Sequence, residues 1–462
     1  MSVALELAKQ VESIGYEDLP AEVIHQTKRL ILDTLGCAFG GYESSASMIF
    51  QEVVRELGHP EEATIIGSGL RTSCQNAALV NGAMVRYLDY NDTAFILQGE
   101  TYRTGYHPSE VIPSILALGE REKSSGKDVI TSINVAYDLS IAFLESVIGQ
   151  GLEKKGWNGD TRGAYIMPLV LGKMIGLSAE QMANAVGIVG SCHAVFGILD
   201  TPAEEYTMTK NIRFPTMAYG SILGILLAQK GFTGPLGMIE GHDGFVETIM
   251  NGDFDVNKLL EFKGKFAILD TCIKSIIADF SSHGHLTATL QIAREYEIQP
   301  DEVAEIRITT SKRCAEHTGD MVKKYPKNKE TADHSSYWLT AIAIIDRAIG
   351  PDQFVPEKYV DQRALDLIDK IILQGDPSLD KHRPAGISEI IMKNGKTYTA
   401  RVDYPRGHAK NPMADREVED KFRSMVSKHM SEKKMNQLID VVMDLENISD
   451  IRTLTHLVTV ES

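Results

Sequence analysis

The sequence predicts a mainly α fold, with a large all-helical domain and a smaller α+β lid. Three observations carry this. Ala, Leu, Ile and Met are plentiful while aromatic residues make up only 7% of the chain, a balance that favours helix over sheet. Apolar residues recur at helical spacing from the start to about residue 268. Beyond that point alternating, strand-like stretches appear, and from Asp415 onward the chain returns to charged amphipathic helix.

Taken in order, helices are expected at Ala21–Phe39, Ser73–Tyr87, Pro108–Glu122, Asp128–Val147 and Ala179–Leu199. In GLSAEQ, Ser178 followed three residues later by Gln181 has the form of a capping box. EIRITTS (305–311) and KIILQGD (370–376) read as strands. ISEIIMK-NG-KTYTARV (387–402) reads as a hairpin with Asn394-Gly395 at a two-residue turn. Helices between them are expected at Leu286–Tyr296 and His334–Arg347. The division is therefore 1–268 with 406–462 as a discontinuous all-helical domain, and 269–405 as the α+β lid.

Length and composition set limits on function. At 462 residues, 43% hydrophobic and 24% charged, the chain is long enough for two globular domains. A net charge of −16 repels phosphate backbones and anionic lipid heads, so neither nucleic acid nor membrane is expected as a partner. An anionic substrate then requires a local cluster of Lys, Arg and His. Five cysteines, Cys37, Cys74, Cys192, Cys272 and Cys314, lie far apart with no CxxC pair, which points away from a zinc knuckle, an iron–sulfur cluster or a disulfide framework. The N-terminus, acidic from its first turns and without a long apolar run, fits no signal or transit peptide, and a cytoplasmic location is expected.

The densest polar constellation is ALVNGAMVRYLDYNDT (78–93) followed by GYHPSE (105–110). Asp89, Asp92 and Thr93 fall where a helix runs out, and His107 precedes Pro108 at the next helix start. Asp92 and Thr93 have an ordinary explanation as capping and turn residues. An imidazole and two carboxylates on one loop platform, however, suit proton abstraction beside a carboxylate. Lys210, with Arg213 three residues on, stands in an apolar and small-residue stretch; it either snorkels to the surface or faces a cleft to hold a carboxylate.

KSIIADFSSHGHLTA places Lys274, Asp279, His283 and His285 at the expected domain junction, where small-molecule clefts are common. The His283/His285 pair lacks a third ligand in view, so no metal is assigned. KETADHSSYW (329–338) offers Asp333 or Ser335 as a helix N-cap. RGHAKNP (406–412) gathers Arg406, His408 and Lys410 in a loop that is either a solvated basic turn or part of an anion-binding rim. IIGSGL (65–70) lacks the full GxGxxG, and no Walker, HExxH or GxSxG motif is present.

Two of these stretches resemble a known family. ATIIGSGLRTSCQNAALVNGAMVRYLDYNDT, leading to His107-Pro108-Ser109, is similar to the signature of the MmgE/PrpD family, which contains 2-methylcitrate dehydratase and cis-aconitate decarboxylase. KETADHSSYWLTAIAIID resembles that family's ETADHS stretch, in wording closer to the dehydratase branch. The matches run from about residue 20 to the RGHAKNP loop.

The resemblance implies the MmgE/PrpD-type two-domain fold, a homodimer, and an active site between the domains without metal or organic cofactor. By position, Asp89, Thr93, His107, Lys210 and Lys274 match residues lining the family's substrate pocket. Three positions depart from the family's patterns: Asn158 and Asp279 stand where decarboxylase-like members carry histidine, and Trp338 occupies the place of the tyrosine usual after ADHS, with Tyr337 before it.

The expected function is hydro-lyase action on 2-methylcitrate or a close relative, in propionate catabolism. His107, Asp89, Lys210 and Asp279 are the expected catalytic residues, with Asp279 an alternative acid for the departing hydroxyl. Asp92, Thr93, Asn158, Lys274, His283, Tyr337, Trp338 and Arg406 are the expected substrate-binding set. Decarboxylation or epimerisation of a related polycarboxylate, and a non-catalytic carboxylate-binding protein, are the alternatives.

Overall fold

The computed structural model describes residues 2–58, 60–98, 101–104, 106–201 and 204–460, with side chains left aside at 95–98 and 101–104. Helix accounts for 59% of the chain and strand for 10%, so helix packing decides the architecture.

The centre of the helical body is Ala21–Tyr42, buried along nearly its whole length between Cys74–Tyr87 on one side and Asp415–Val426 on the other. Glycines set how closely these helices approach. A Cβ on Gly41 would lie 2.3 Å from the Met84 carbonyl oxygen, and one on Gly36 would lie 3.2 Å from the Phe422 Cα. The C-terminal helix is also held by charge: Lys421 Nζ sits 2.6 Å from buried Asp33 and donates to the Tyr90 carbonyl at 2.8 Å. Around this centre pack Ile112–Glu122, Gly126–Glu145, Gly163–Met174, Ala179–Gly190 and Arg213–Gln229.

Several boundaries follow local chemistry. Ser73 and Ser178 cap their helices as side-chain acceptors, and Gln181 closes the capping box. The helix expected to run to Leu199 ends at Gly190. Ser191 caps it, and a Cβ on Gly187 would meet the Pro235 carbonyl at 2.6 Å, so this end is shaped by a crossing loop.

The C-terminal part holds a four-stranded sheet in the order Ile371–Asp376, Val303–Ser311, Gly386–Met392, Thr397–Val402. The first pair is parallel and the others antiparallel. Helix His283–Glu295 covers it, and Gly386–Met392 alternates buried and half-buried residues as a one-sided strand must. The 387–402 hairpin forms, but with a three-residue loop rather than a two-residue turn. Met392 N–H donates to the Lys396 carbonyl at 2.8 Å, and Gly395 takes a φ of 86° that a side chain resists.

Two strands enter the helical part that were not expected there. Thr93–Gln98 pairs antiparallel with Thr101–Thr104 on one edge and with Thr271–Cys272 on the other. The stretch TAFILQ followed by TYRT is rich in residues that favour strands, so a signal was available. The small sheet joins the polar platform after Tyr87 to the segment that carries Lys274.

Candidate active site

Helix Cys74–Tyr87 ends at Leu88, and Asp89 follows in the left-handed region with φ 51°. That turn sends the Asp89 carboxylate back among cations. Arg86, three residues earlier, bonds it through Nη1; Lys274 Nζ lies 3.2 Å from its Oδ2 and donates to its backbone carbonyl at 2.8 Å. Burial alone would raise the Asp89 carboxyl, but Arg86, Lys274, Lys210 and His334 hold it well below the usual carboxylate range.

His107 stands beside it. Its Nδ1 is 2.6 Å from the Asp92 carbonyl oxygen, a contact that needs the proton on Nδ1 and leaves Nε2 bare, 3.4 Å from Asp89 Oδ1. Burial, with Arg86 and Lys274 nearby, pushes this imidazole well below its ordinary value, so it is neutral and able to accept a proton. Asp92 itself is a structural clasp. Its carboxylate accepts from the Ser109 N–H at 3.0 Å and the Tyr137 hydroxyl at 2.8 Å, tying the loop before the hairpin to the loop after it. Thr93 donates to the Tyr106 carbonyl at 2.8 Å and serves the same end.

A second polar wall faces this platform. Asp333 accepts from Lys210 Nζ at 2.6 and 2.8 Å and from Lys329 Nζ at 2.7 Å. The next residue, His334, has its Nδ1 2.5 Å from Asp333 Oδ1, and its Nε2 is 3.9 Å from Asp279 Oδ2. His317 packs edge-on to His334 with ring centroids 5.5 Å apart. Burial lowers the His334 imidazole, helped by Lys210 and opposed by Asp333.

Asp279 caps the short turn that follows it, accepting from the Ser281 N–H at 3.0 Å. Burial would raise its carboxyl, but His317, His334 and the Ser281 hydrogen bond bring it down to about 2. It is therefore ionised at neutral pH.

Between the walls lies a cavity of about 930 Å³. Arg86, Arg213, Lys274 and Arg383 line it, each at most 4% exposed, together with His107, His317, His334, Asp200 and Asp279. A chain of net charge −16 has thus gathered four buried basic side chains around one hole. That arrangement suits a small molecule with several carboxylates.

The expected site residues divide into three groups. Thr93, His107, Asn158, Lys274 and Asp279 line the cavity. Asp89 and Lys210 stand behind that lining, Asp89 against His107 and Lys274, Lys210 against Asp333 and 3.2 Å from His334 Nδ1. Lys210 was expected to face the cleft; its ammonium is instead satisfied by Asp333, and burial moves it down to about 8.

The remaining five do not line the cavity, which is a correction in each case. Asp92 is the clasp just described. Trp338 is fully buried against Phe354 and Tyr359, its indole N–H donating to the Lys358 carbonyl at 3.3 Å. Tyr337 directs its hydroxyl toward the Met321 sulfur at 3.9 Å. His283 packs on Phe280, with Nε2 3.4 Å from the Ala278 carbonyl. Arg406 pairs with Glu417 and Asn411 at the surface.

Sequence reasoning missed Arg86, His317, His334 and Arg383 as cavity residues. Arg86 sits one turn before Asp89, and His334 lies inside the ADHS stretch, so both had a local cue; His317 and Arg383 had none. Among the described residues, Asp200/His317/His334 and Asp89/Asp333/His334 come close enough to share an ion. Their carboxylates already carry partners, Arg213 on Asp200 at 2.9 Å, Arg86 and Lys274 on Asp89, and Lys210 and Lys329 on Asp333, which favours a bound anion over a divalent cation.

The chain matches the MmgE/PrpD N-terminal domain over residues 5–257 and the MmgE/PrpD C-terminal domain over residues 278–447, and it belongs to the MmgE/PrpD family. Cis-aconitate decarboxylase of Aspergillus terreus (strain NIH 2624 / FGSC A1156) is 24% identical over 478 residues, covering 98% of this chain and 95% of that protein. Cis-aconitate decarboxylase of Homo sapiens is 25% identical over 476 residues, covering 99% and 94%. 2-Methylcitrate dehydratase of Salmonella typhimurium is 22% identical over 469 residues, covering 95% and 93%. Among the described residues no helix is long and apolar enough to cross a membrane.

Proposed function

We propose that this protein is a lyase for a small polycarboxylate, and in particular a hydro-lyase that dehydrates 2-methylcitrate or a close relative. The observation that carries this reading is His107, with Nδ1 fixed by a backbone carbonyl and Nε2 3.4 Å from Asp89 Oδ1, at the edge of a cavity lined by buried Arg and Lys.

Proton abstraction beside a carboxylate develops negative charge on that carboxylate, and fixed cations stabilise it without reorganising. Lys274 and Arg86 stand next to His107 for this task, and Arg213 and Arg383 line the same cavity. His107 Nε2 takes the proton from carbon; the hydroxyl leaves the adjacent carbon as water. Asp89 holds Lys274 and Arg86 in place, Lys210 positions the wall opposite through Asp333, and Asn158 contributes to substrate fit. No step requires a metal or organic cofactor.

Decarboxylation of a related tricarboxylate is the second reading, favoured by the 24% and 25% identities to proteins named cis-aconitate decarboxylase. The test is the ultraviolet absorbance of the new alkene when purified protein meets stereochemically defined 2-methylcitrate, with released carbon dioxide measured in parallel on cis-aconitate. Alkene without carbon dioxide supports the hydro-lyase; carbon dioxide from cis-aconitate replaces it with the decarboxylase.

The domain division at 268/269 and 405/406, with 269–405 as lid, belongs to the same proposal, supported by the Lys421–Asp33 pair that ties the C-terminal helix to the helical body. So do a homodimer and a cytoplasmic role in propionate catabolism. Met48, Ile49, Val53 and Leu57 form an exposed apolar stripe on helix Ser45–Leu57 that a second copy could cover, and light scattering on the purified protein measures the oligomeric state.

A further inference from the structure

The two imidazoles on the cavity walls are built alike. His107 has Nδ1 anchored and Nε2 turned toward a carboxylate; so has His334, with Asp333 as anchor and Asp279 beyond Nε2. The anchors differ. A backbone carbonyl holds His107, whereas an ionised carboxylate holds His334, and a carboxylate on Nδ1 stabilises the protonated ring. Asp89 stands between them, its Oδ1 3.4 Å from His107 Nε2 and its Oδ2 3.9 Å from His334 Nδ1.

We infer that the Asp333–His334 pair is the second acid–base couple of this site, with His334 Nε2 delivering the proton to the departing hydroxyl while His107 removes the proton from carbon. The inference rests on the hydro-lyase reading. Dehydration needs an acid as well as a base, and His334 has the geometry for it, with Nδ1 held by Asp333 and Nε2 3.9 Å from Asp279 Oδ2. His334 lines the cavity, so its Nε2 is within reach of a bound molecule.

The charges around His334 fix when it is protonated. Burial and Lys210 lower the ring's proton affinity in the free protein, while Asp333 and Asp89 favour the cation; Asp279 lies 3.9 Å from Nε2, and His317 and the Tyr206 ring pack against the imidazole edge-on. A polycarboxylate entering the cavity adds negative charge near Nε2 and tips this balance toward imidazolium. The step then balances. The C–H bond breaks with its proton going to His107 and its electron pair passing onto the neighbouring carboxylate as an enolate; the pair returns to form the C=C bond as the C–O bond breaks, and the hydroxyl takes the His334 proton to leave as water. Solvent then removes the proton from His107 and restores the one on His334.

The experiment is dehydration of 2-methylcitrate in D2O by the wild-type chain and by His334→Gln, recording alkene by absorbance and deuterium in recovered substrate by NMR. His334→Gln is expected to lose about a hundredfold or more in alkene formation while retaining exchange of the carbon-bound hydrogen within about tenfold, because His107 still works. Exogenous imidazole should restore part of the dehydration in His334→Ala. Equal loss of exchange and dehydration in folded His334→Gln, or full activity, overturns the inference and leaves the hydro-lyase reading standing. No alkene from the wild type overturns both. Should the variants fail to fold, the pH profile of wild-type kcat decides: a bell, with one limb for each imidazole, supports the couple, and a single acidic limb overturns it.

Discussion

The two walls of the cavity solve one electrostatic problem in different ways. On the first, Asp89 is surrounded by Arg86 and Lys274, and the histidine beside it leans on a backbone carbonyl. On the second, Asp333 collects Lys210 and Lys329 from two chain segments and then anchors its own neighbour, His334. The first wall leaves its cations facing the cavity. The second buries its lysines behind the histidine. The lesson is that a lysine's worth to a site depends on which carboxylate reaches it first, and that Lys274 and Lys210, similar in the sequence, end in different roles.

The largest expected effect tests the first wall. His107→Gln should lower turnover of the substrate by about 10²–10⁴-fold with no change in the unfolding midpoint, as measured by steady-state rates and thermal melts. Undiminished turnover would remove His107 as the base and erase the distinction between the walls.

Next in size is the second wall's anchor. Asp333→Ala leaves Lys210 and Lys329 buried without their shared carboxylate and should destabilise the protein by roughly 3–5 kcal/mol, read from denaturant melts. A loss below about 1 kcal/mol would mean that the lysines find other partners, and that the wall is not organised by Asp333.

A smaller effect depends on pH. His285, fully buried in the first turn of helix His283–Glu295 against Gly386, is held down to about 3 by burial. Its imidazole is protonated below about pH 6.5 in the unfolded chain but stays neutral when folded. As pH falls below 6.5 the unfolded state therefore binds a proton that the folded state refuses, and stability drops until about pH 3. The slope is about 1.4 kcal/mol per pH unit, or roughly 2 kcal/mol by pH 5. His285→Leu should remove that share of the acid sensitivity between pH 6.5 and 5, which chemical melts at the two pH values compare.

The smallest effect lies outside both walls. Arg406→Ala breaks only its partly exposed pair with Glu417 and should cost under about 1 kcal/mol with turnover unchanged. A large loss of affinity for substrate would bring the RGHAKNP loop back into the site.

Much of the first wall was legible in the sequence because it is nearly continuous. Asp89, Asp92, Thr93 and His107 lie within one helix end and the segments after it, so helix periodicity and turn chemistry place them together, whereas Arg86, one turn earlier, was passed over. What misled was accessibility. Asp92 was expected to bind substrate and proved a clasp, since only the fold shows that Ser109 and Tyr137 already occupy it. Trp338 and Tyr337 followed the ADHS stretch closely enough to look like pocket residues, yet the helix that carries them turns Trp338 into the core against Phe354 and Tyr359.

The sequence by itself determined the helices, their Ser and Gly boundaries, the 387–402 hairpin and the polar platform after Tyr87, because periodicity, capping and turn residues act over a few positions. The tertiary structure decided that Lys210 meets Asp333 across 123 residues, that Lys274 meets Asp89 across 185, and that His334 faces the cavity with His317 against its ring. Those are choices among charged partners far apart in the chain. Burial makes each pairing strong, and only packing says which groups are buried together.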